Sequence, residues 1–216
     1  MKTALCYGDS NTYGYSPIDG KRFPEGVRWT SRLSELLGNK YRVIEEGCNG
    51  RTTNLNDPEE PWKNGVPYLK PCLNTHKPVD VVILMLGSND LKKIYAASAE
   101  QIAEGAEQLV RIIKEFTQSK QGFIPKIILV SPTEIGEGID NSPFSRSFDM
   151  DSVDRSRKLP DLYKKVAEKT GCLFFNAADY IKPSEEDCLH WTAQGHKTMA
   201  EKMYELIELY SEYWCV

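Results

Sequence analysis

Each end of the chain carries a short segment whose residue types suit nucleophilic catalysis. Near one end, Gly8-Asp9-Ser10 places a serine in a turn-forming run. Near the other, Asp187 precedes His190 by three residues. A carboxylate at this spacing can accept a hydrogen bond from one imidazole nitrogen, so that the other nitrogen can take the proton of a serine hydroxyl. The pattern predicts Ser10 as nucleophile, His190 as general base and Asp187 as its orienting group.

Two further segments offer donors for an oxyanion. Gly50 lies in a polar run after the second predicted strand, and Asn89 lies in Gly87-Ser88-Asn89-Asp90 after the third. In open α/β sheets, ligands bind at the carboxyl ends of the strands. We therefore expect a serine, a glycine and an asparagine from three neighbouring loops to face one crevice.

Five apolar segments recur at intervals that leave room for a helix between them, which indicates βα units and a mostly parallel five-stranded sheet. The third is continuously apolar from Val81 to Leu86, as is typical of a central strand that is covered on both faces. The predicted strands are Thr3–Tyr7, Tyr41–Glu45, Val79–Leu86, Lys126–Val130 and Cys172–Phe175.

Amphipathic segments between and after these strands predict helices on both faces of the sheet, in a three-layer α/β/α arrangement. They are Arg28–Leu37, Ser98–Thr117, Asp151–Lys169 and Thr192–Tyr210. Two long segments rich in Pro, Gly and Asn, Asn54–Lys77 and Thr133–Met150, are predicted to be irregular and to wall a pocket. No composition shift marks a linker, so we expect one domain over residues 1–216.

The bulk composition narrows the functional classes. The net charge of −4 comes from interspersed charges, without the basic stripe that nucleic-acid binding needs. No segment approaches the roughly 18 apolar residues of a membrane span, and no uninterrupted apolar run of about 7–15 residues marks a secretory signal. We therefore expect a cytoplasmic protein without nucleic-acid or membrane partners. The six scattered cysteines include no C-x-x-C pair and are expected to be reduced thiols.

The four blocks Gly8-Asp9-Ser10, Gly50, Gly87-Ser88-Asn89-Asp90 and Asp187-x-x-His190 resemble, in order and spacing, those of the SGNH (GDSL) hydrolase superfamily. Val27-Arg28-Trp29-Thr30, the segment from Glu45 to Asn54 and Met85-Leu86-Gly87-Ser88-Asn89-Asp90 resemble its arylesterase/acyltransferase subgroup. The resemblance covers nearly the whole chain. It implies a flavodoxin-like, doubly wound sheet.

For the site, the resemblance implies an acyl-enzyme on Ser10. It also implies an oxyanion hole built from the backbone N–H groups of Ser10 and Gly50 and the side-chain amide of Asn89. Two positions depart from the pattern: Asn11 replaces a common leucine, and Trp191 follows His190 where Phe, Leu or Val is more usual. Both departures bear on substrate preference rather than on the chemistry.

Several further residues are candidates for the substrate pocket. They are Asp9, Asn11, Tyr13, Arg51, Trp62 and Trp191, with Tyr68 as an additional apolar wall. Asp9 is expected mainly to bond loop backbone, and Arg51 to contact substrate, a neighbouring subunit or local polar groups. Asp90 is expected to cap the segment that follows it. His196 is expected on the surface of the last helix, and His76 in a loop.

The favoured function is a serine esterase that acts on small acetyl or short acyl esters, with acyl transfer to alcohols as a second outcome. A carbohydrate O-deacetylase uses the same chemistry. Rivals of other classes are a flavodoxin-like binding module, suggested by the hydroxyl-rich run from Ser10 to Gly14, and a catalytically silent interaction protein. Neither a cofactor nor a metal is expected, because no HExxH or paired-cysteine spacing occurs. Exposed apolar residues in 54–77 favour a homo-oligomer.

Overall fold

Five parallel strands lie side by side in one sheet in the computed structural model, which describes residues 1–211. They are β1 (Lys2–Gly8), β2 (Tyr41–Gly47), β3 (Val81–Met85), β4 (Lys126–Ser131) and β5 (Leu173–Asn176). Their order across the sheet is β2-β1-β3-β4-β5. The predicted α/β class and five-stranded parallel sheet are confirmed.

The order of the strands creates a crevice beside β1. From β1 the chain goes first to β2 on one side and then crosses to β3 on the other. Gly8, at the end of β1, pairs with Gly47 of β2 and with Met85 of β3, so the three strands end level with one another. Such a switch point is where open α/β sheets bind ligands. The loops after these three strands therefore open onto one crevice.

Seven α-helices flank the sheet within the described residues. They are α1 (Ser10–Tyr13), α2 (Trp29–Leu37), α3 (Gly65–His76), α4 (Ala99–Gln121), α5 (Met150–Ser156), α6 (Leu159–Thr170) and α7 (Ala193–Ser211). Short 3-10 turns lie at Gly38–Lys40, Pro61–Lys63, Asn89–Leu91, Lys93–Tyr95, Glu137–Asn141 and Ala177–Asp179. Among residues 1–211, no helix is both long and apolar enough to span a bilayer.

The alternation of side chains along the strands divides the interior into two cores. Leu5 and Tyr7 of β1 enter one core with α3, α4, α5 and α6, whereas Ala4 and Cys6 enter the other with α2 and α7. Every residue of β3 is buried, as its continuous apolar sequence predicted. Burying one large aliphatic or aromatic side chain stabilises the fold by about 1.5–3 kcal/mol. The two cores fix the sheet and hence the loops at its carboxyl edge.

The segment 54–77 is not irregular throughout, because its second half forms α3. Asn64 caps this helix by accepting a hydrogen bond from the Val66 N–H at 2.9 Å. Pro67 lies in the first turn, where the missing N–H has no helical acceptor to lose. Pro71 lies inside the helix, yet buried Leu69 and Leu73 anchor the same face against the core. Packing against the core therefore outweighs the cost of a proline inside the helix. The sequence prediction had taken the Pro-rich composition as a sign of irregular structure.

The predicted helix 151–169 is two helices. α5 ends at Ser156 and α6 begins at Leu159, with Pro160 in its first turn. Proline has no N–H and a fixed φ, which suits a helix start and disfavours a helix interior. The sequence prediction extended the apolar periodicity across this proline. The amphipathic pattern correctly predicted a helix on either side of the break.

The cysteines of the described residues are free thiols. They are Cys6, Cys48, Cys72, Cys172 and Cys188. Burial raises the pKa of the Cys6 thiol well above its ordinary range and that of Cys72 to about 12. These two thiols are therefore packed as small hydrophobic groups. Cys215, the sixth cysteine, lies outside the described residues.

Candidate active site

Ser10 lies in a sharp strand-to-helix turn at the crevice. β1 ends at Gly8, Asp9 caps the short helix α1 by accepting from the Asn11 N–H at 3.0 Å, and Ser10 is the first helical residue. A Cβ on Gly8 would lie 2.1 Å from the Thr12 hydroxyl oxygen, so only glycine permits the tight return. The turn presents the Ser10 hydroxyl at the carboxyl edge of the sheet.

The structure brings Ser10, His190 and Asp187 into one line of hydrogen bonds. Ser10 Oγ lies 2.8 Å from His190 Nε2, and His190 Nδ1 lies 2.7 Å from Asp187 Oδ2. Ser10 is 8% exposed, and the other two side chains are more deeply buried. Ser10 and His190 are far apart in the sequence. They meet because β1 lies inside the sheet, between β2 and β3, and the loop before α7 passes the end of β1.

The turn 187–190 fixes the acid and the base together. Asp187 Oδ1 accepts from the backbone N–H groups of Leu189 at 2.9 Å and His190 at 2.8 Å. Burial alone would raise the pKa of the Asp187 carboxyl, but its hydrogen bonds from His190 and Leu189 hold that pKa below its usual value. The charged carboxylate therefore keeps the proton on Nδ1, and His190 Nε2 becomes the acceptor for the Ser10 hydroxyl.

Two aromatic rings hold the imidazole in place. The Tyr15 ring lies 4.2 Å from the His190 ring between centroids, at an interplanar angle of 33°, and the Phe144 ring lies at 5.3 Å. Neither residue was among the sequence candidates. Tyr15 lies only five residues after Ser10, yet no periodic pattern marks it. Phe144 comes from the long segment 133–150, whose path the sequence does not specify.

Ser10, Gly50 and Asn89 line the same cavity. Asn89 donates from Nδ2 to the Arg51 carbonyl oxygen at 3.2 Å. An amide nitrogen carries two N–H groups, so a second donor remains for a ligand. Gly50 has a φ of +80°, and a Cβ there would lie 2.7 Å from Lys63 Cε. The arrangement can stabilise an oxyanion that forms at a carbonyl attacked by Ser10.

The cavity over Ser10 has a volume of about 600 Å³. Its walls come from the two long segments that were predicted to form them, through Trp62 of 54–77 and through Phe144 and Phe148 of 133–150. Tyr13 also lines the cavity, as predicted. Pockets of about 300–1,000 Å³ take small organic ligands. Tyr13 and Trp62 therefore remain candidates for substrate contact.

Asn11 and Trp191 do not line the cavity, contrary to the sequence prediction. Asn11 accepts from the Trp191 N–H at 3.1 Å and donates to the Leu189 carbonyl oxygen at 3.5 Å. The Trp191 side chain is fully buried and donates from Nε1 to Thr133 Oγ1 at 3.0 Å. These bonds tie α1 to the loop of His190. Both residues thus support the hydrogen-bonded line of Ser10, His190 and Asp187 from behind.

Arg51 is also absent from the cavity wall, since its buried guanidinium turns back toward the sheet. It donates to the Gly8 carbonyl oxygen at 2.9 Å and to the Glu46 carbonyl oxygen, and it lies over the Tyr7 ring at 4.2 Å. Tyr68, whose ring lies 5.7 Å from the same guanidinium, does not line the cavity either. Arg51 therefore joins the ends of β1 and β2 and holds the carbonyl that orients Asn89.

Two buried carboxylates support the loops around the cavity without lining it. Asp9 bonds loop backbone, as expected. Asp90 does not cap the segment that follows it; it accepts from the Thr53 N–H at 3.0 Å and from the Thr53 hydroxyl at 2.5 Å. Burial raises the pKa of each of these carboxyls to about 6. Asp90 thereby fixes the loop after β2 to the loop after β3.

His196 is buried, whereas the sequence prediction put it on the surface. Its Nδ1 accepts from the Trp29 N–H at 3.3 Å, and its ring packs against Trp191 at 5.6 Å between centroids. Burial lowers the pKa of His196 to about 3, with repulsion from His190 adding to the effect. His196 lies in register with Met199 and Met203 on the apolar face of α7, and that spacing is the signal that identifies it as a core residue.

His76 ends α3 rather than lying in a loop, and its Nε2 lies 2.8 Å from Glu46 Oε1. Among residues 1–211, Glu46, Cys72 and His76 are the one group of potential metal ligands whose ligand atoms all lie within 4.8 Å of one another. None of the three lines the cavity over Ser10. The chemistry of the Ser10 site is therefore separate from this group.

Comparison with known proteins decides the family. The model of the GDSL-like lipase/acylhydrolase family matches residues 6–198. The chain belongs to this family. The resemblance drawn from the four sequence blocks is thereby confirmed.

Solved structures similar to this GDSL-family protein include two esterases. The native aryl esterase of M. smegmatis is 34% identical, with a TM-score of 0.91 over 97% of this chain and 99% of that chain. A carbohydrate acetylesterase from Sinorhizobium meliloti is 32% identical, with a TM-score of 0.90 over the same shares. An acetylxylan esterase from Xylanibacter ruminicola is 26% identical over 91% of this chain, which spans 41% of the length of that relative. These relationships put the chain among the carboxylic ester hydrolases.

Proposed function

We propose that this GDSL-family esterase cleaves small acyl esters, acetyl esters above all, through an acyl-enzyme on Ser10. One observation carries the proposal. The Ser10 hydroxyl, the His190 imidazole and the Asp187 carboxylate form a line of hydrogen bonds of 2.8 and 2.7 Å, and the serine end of that line faces the cavity. The same geometry makes a purely binding or silent role less favourable, because neither role needs a carboxylate behind an imidazole that contacts a serine hydroxyl.

The steps follow from the positions of the atoms. Ser10 Oγ attacks the ester carbonyl while His190 Nε2 takes the hydroxyl proton. The developing oxyanion accepts from the backbone N–H groups of Ser10 and Gly50 and from the Asn89 amide. As the C–O bond breaks, His190 returns its proton to the leaving alcohol. Water, activated by the same imidazole, then releases the acid and restores Ser10.

Acyl transfer to an alcohol is part of the proposal. It needs an alcohol to reach the acyl-enzyme more effectively than water does, and apolar walls favour that competition. Tyr13, Trp62, Phe144 and Phe148 supply such walls around Ser10. We infer that the acyl-enzyme is partitioned between water and small alcohols.

A carbohydrate O-deacetylase is the second candidate. The observation in its favour is the similarity to a carbohydrate acetylesterase and to an acetylxylan esterase. The two candidates share the triad and differ in the alcohol. Specificity constants for phenyl acetate, acetylated glucose and acetylated xylan fragments, measured side by side, separate them. A cytoplasmic location and a homo-oligomeric state stay predictions.

The first test is hydrolysis of p-nitrophenyl acetate by the wild type and by Ser10→Ala at neutral pH. We expect the variant to lose about a thousandfold or more in turnover, since removing a triad member typically costs that much. Ser147→Ala is the matched control, because Ser147 also lines the cavity but has no bond to His190. Equal activities of wild type and Ser10→Ala, or an equal loss in both variants, would refute the assignment of Ser10.

A further inference from the structure

Lys92 is a cation in the wall of the cavity that the triad does not use. It follows the 3-10 turn of Asn89, and its backbone N–H donates to the Asn89 carbonyl oxygen at 3.2 Å. The side chain is half-buried and lines the same cavity as Ser10 and His190. Among residues 1–211, no carboxylate lies within 4.0 Å of its ammonium. The Lys92 charge is therefore available to a ligand.

Lys63, the other lysine of the cavity, is already in an ion pair. Its Nζ contacts the Glu60 carboxylate and lies 3.9 Å from Asp57 Oδ2. Asp57 is held in turn by the Glu60 N–H at 3.0 Å and by the Tyr95 hydroxyl at 3.1 Å. Lys63 and Glu60 thus form an internal pair in the wall, whereas Lys92 has no ion-pair partner within the described residues.

The surroundings of Lys92 make that charge unfavourable until an anion joins it. Burial lowers the pKa of the Lys92 ammonium, and repulsion from Lys63 adds to this effect, while the more distant carboxylates of Asp57, Asp9 and Asp90 partly oppose it. A cation that has lost part of its water and has a like charge nearby is stabilised by any anion that enters the site. A half-buried position also weakens screening by salt relative to the open surface.

We propose that Lys92 is a substrate-binding residue that selects esters whose alcohol portion carries a carboxylate. The inference rests on the proposed function, because the cavity holds the alcohol only if Ser10 attacks the ester. A short acyl group such as acetyl has no place for a second charge. The anion must therefore belong to the alcohol, and a substituted aryl or sugar alcohol is of a size that about 600 Å³ accommodates.

The test compares phenyl acetate with 3- and 4-acetoxybenzoate, which carry the same acyl group on a neutral and on an anionic alcohol. For each enzyme, we take the ratio of kcat/KM on the acetoxybenzoate to kcat/KM on phenyl acetate. Differences in leaving-group reactivity are the same for all variants and cancel when these ratios are compared. We expect Lys92→Gln to lower the ratio about tenfold for at least one isomer, mainly through KM.

Two variants control the comparison. Lys92→Arg keeps the charge and should retain most of the wild-type ratio. Lys93→Gln removes the charge of the next residue and should leave the ratio unchanged. The exposed Lys93 ammonium does not line the cavity and donates to the Ser145 carbonyl oxygen at 2.9 Å. In the wild type, added salt should lower the ratio. A Lys92→Gln ratio equal to that of the wild type for both isomers would overturn the proposal, as would an equal drop in Lys93→Gln.

A binding measurement keeps the inference testable if Lys92→Gln does not fold. Benzoate should inhibit hydrolysis of phenyl acetate by the wild type more strongly than benzyl alcohol does, and high ionic strength should narrow the difference. Equal inhibition by the two compounds would overturn the proposal. Failure here is distinct from failure of the proposed function. If only the inference about Lys92 fails, Ser10→Ala still abolishes hydrolysis of phenyl acetate. If the proposed function fails, Ser10→Ala does not abolish it.

Discussion

Replacing His196 with glutamine tests the energetic consequence of burying an imidazole behind the triad. His196 is 0% exposed, and its Nδ1 accepts from the Trp29 N–H. Burial lowers its pKa from 6.5 to about 3. Because the folded state keeps the ring neutral while the unfolded chain protonates it, stability is lost as the pH falls below 6.5 toward 3. Glutamine can accept the same hydrogen bond and does not titrate.

The folded and unfolded pKa values of His196 set the magnitude of this loss of stability. At pH 4.5 the unfolded imidazole is almost fully protonated and the folded one is not, so the shift lowers the wild-type free energy of unfolding by about 2.5 kcal/mol relative to pH 7. Asp9 and Asp90 act in the opposite direction. Their folded pKa values of about 6 favour the folded state as the pH falls through that window. Both carboxyls are present in the wild type and the variant, so their effects cancel in the difference.

The assay is urea unfolding of wild type and His196→Gln at pH 7 and at pH 4.5, followed by tryptophan fluorescence. At pH 7 we expect the variant to be less stable by about 1–3 kcal/mol, since a packed core contact is replaced. At pH 4.5 this deficit should shrink by about 2.5 kcal/mol and vanish or reverse. A deficit that is the same at both pH values would show that the folded protein admits a proton to His196, and it would refute the argument from burial.

Two further predictions concern the oxyanion hole, and steady-state hydrolysis of p-nitrophenyl acetate checks both. Asn89→Ala should lower kcat by about 10²–10³ with a small change in KM, because a donor to the developing charge is lost; an unchanged kcat would remove Asn89 from that role. Gly50→Ala should lower kcat at least about tenfold and destabilise the fold by about 1–3 kcal/mol, because alanine is strained at a φ of +80° and its Cβ collides with Lys63. Wild-type kcat in this variant would show that the position of the Gly50 N–H is unimportant.

The sequence was sufficient where one local pattern decides the outcome. The apolar run of β3 and the polar runs after β1, β2 and β3 predicted the sheet edge and the meeting of Ser10, Gly50 and Asn89. It was insufficient where distant packing decides. Helix α3 forms despite Pro71 because its apolar face meets the core, and the Tyr15 and Phe144 rings meet His190 through loops whose paths no periodicity encodes.

Arg51, a candidate for substrate contact, and Asp90, expected to act as a cap, both support the loops around the cavity, and the reason is electrostatic. Arg51 and Asp90 are charged, but each finds buried partners at the strand ends: Arg51 bonds the Gly8 carbonyl oxygen, and Asp90 bonds the Thr53 N–H. Hydrogen-bond partners stabilise a buried charge, so neither group can turn into the cavity without leaving those partners unpaired.

The hydrogen bonds of Arg51 and Asp90 have a consequence for catalysis. The Arg51 carbonyl oxygen fixes one N–H of Asn89, and Asp90 fixes the loop that follows Gly50 and Arg51. Donors that are already oriented need no reorganisation when charge develops on the substrate oxygen, and that preorganisation is the main electrostatic contribution of such a hole. Lys92, by contrast, lines the cavity and has no ion-pair partner within the described residues. Around this site Arg51 and Asp90 thus hold the proposed donors still, Lys63 and Glu60 pair with each other, and Lys92 is the charge that we propose meets the substrate.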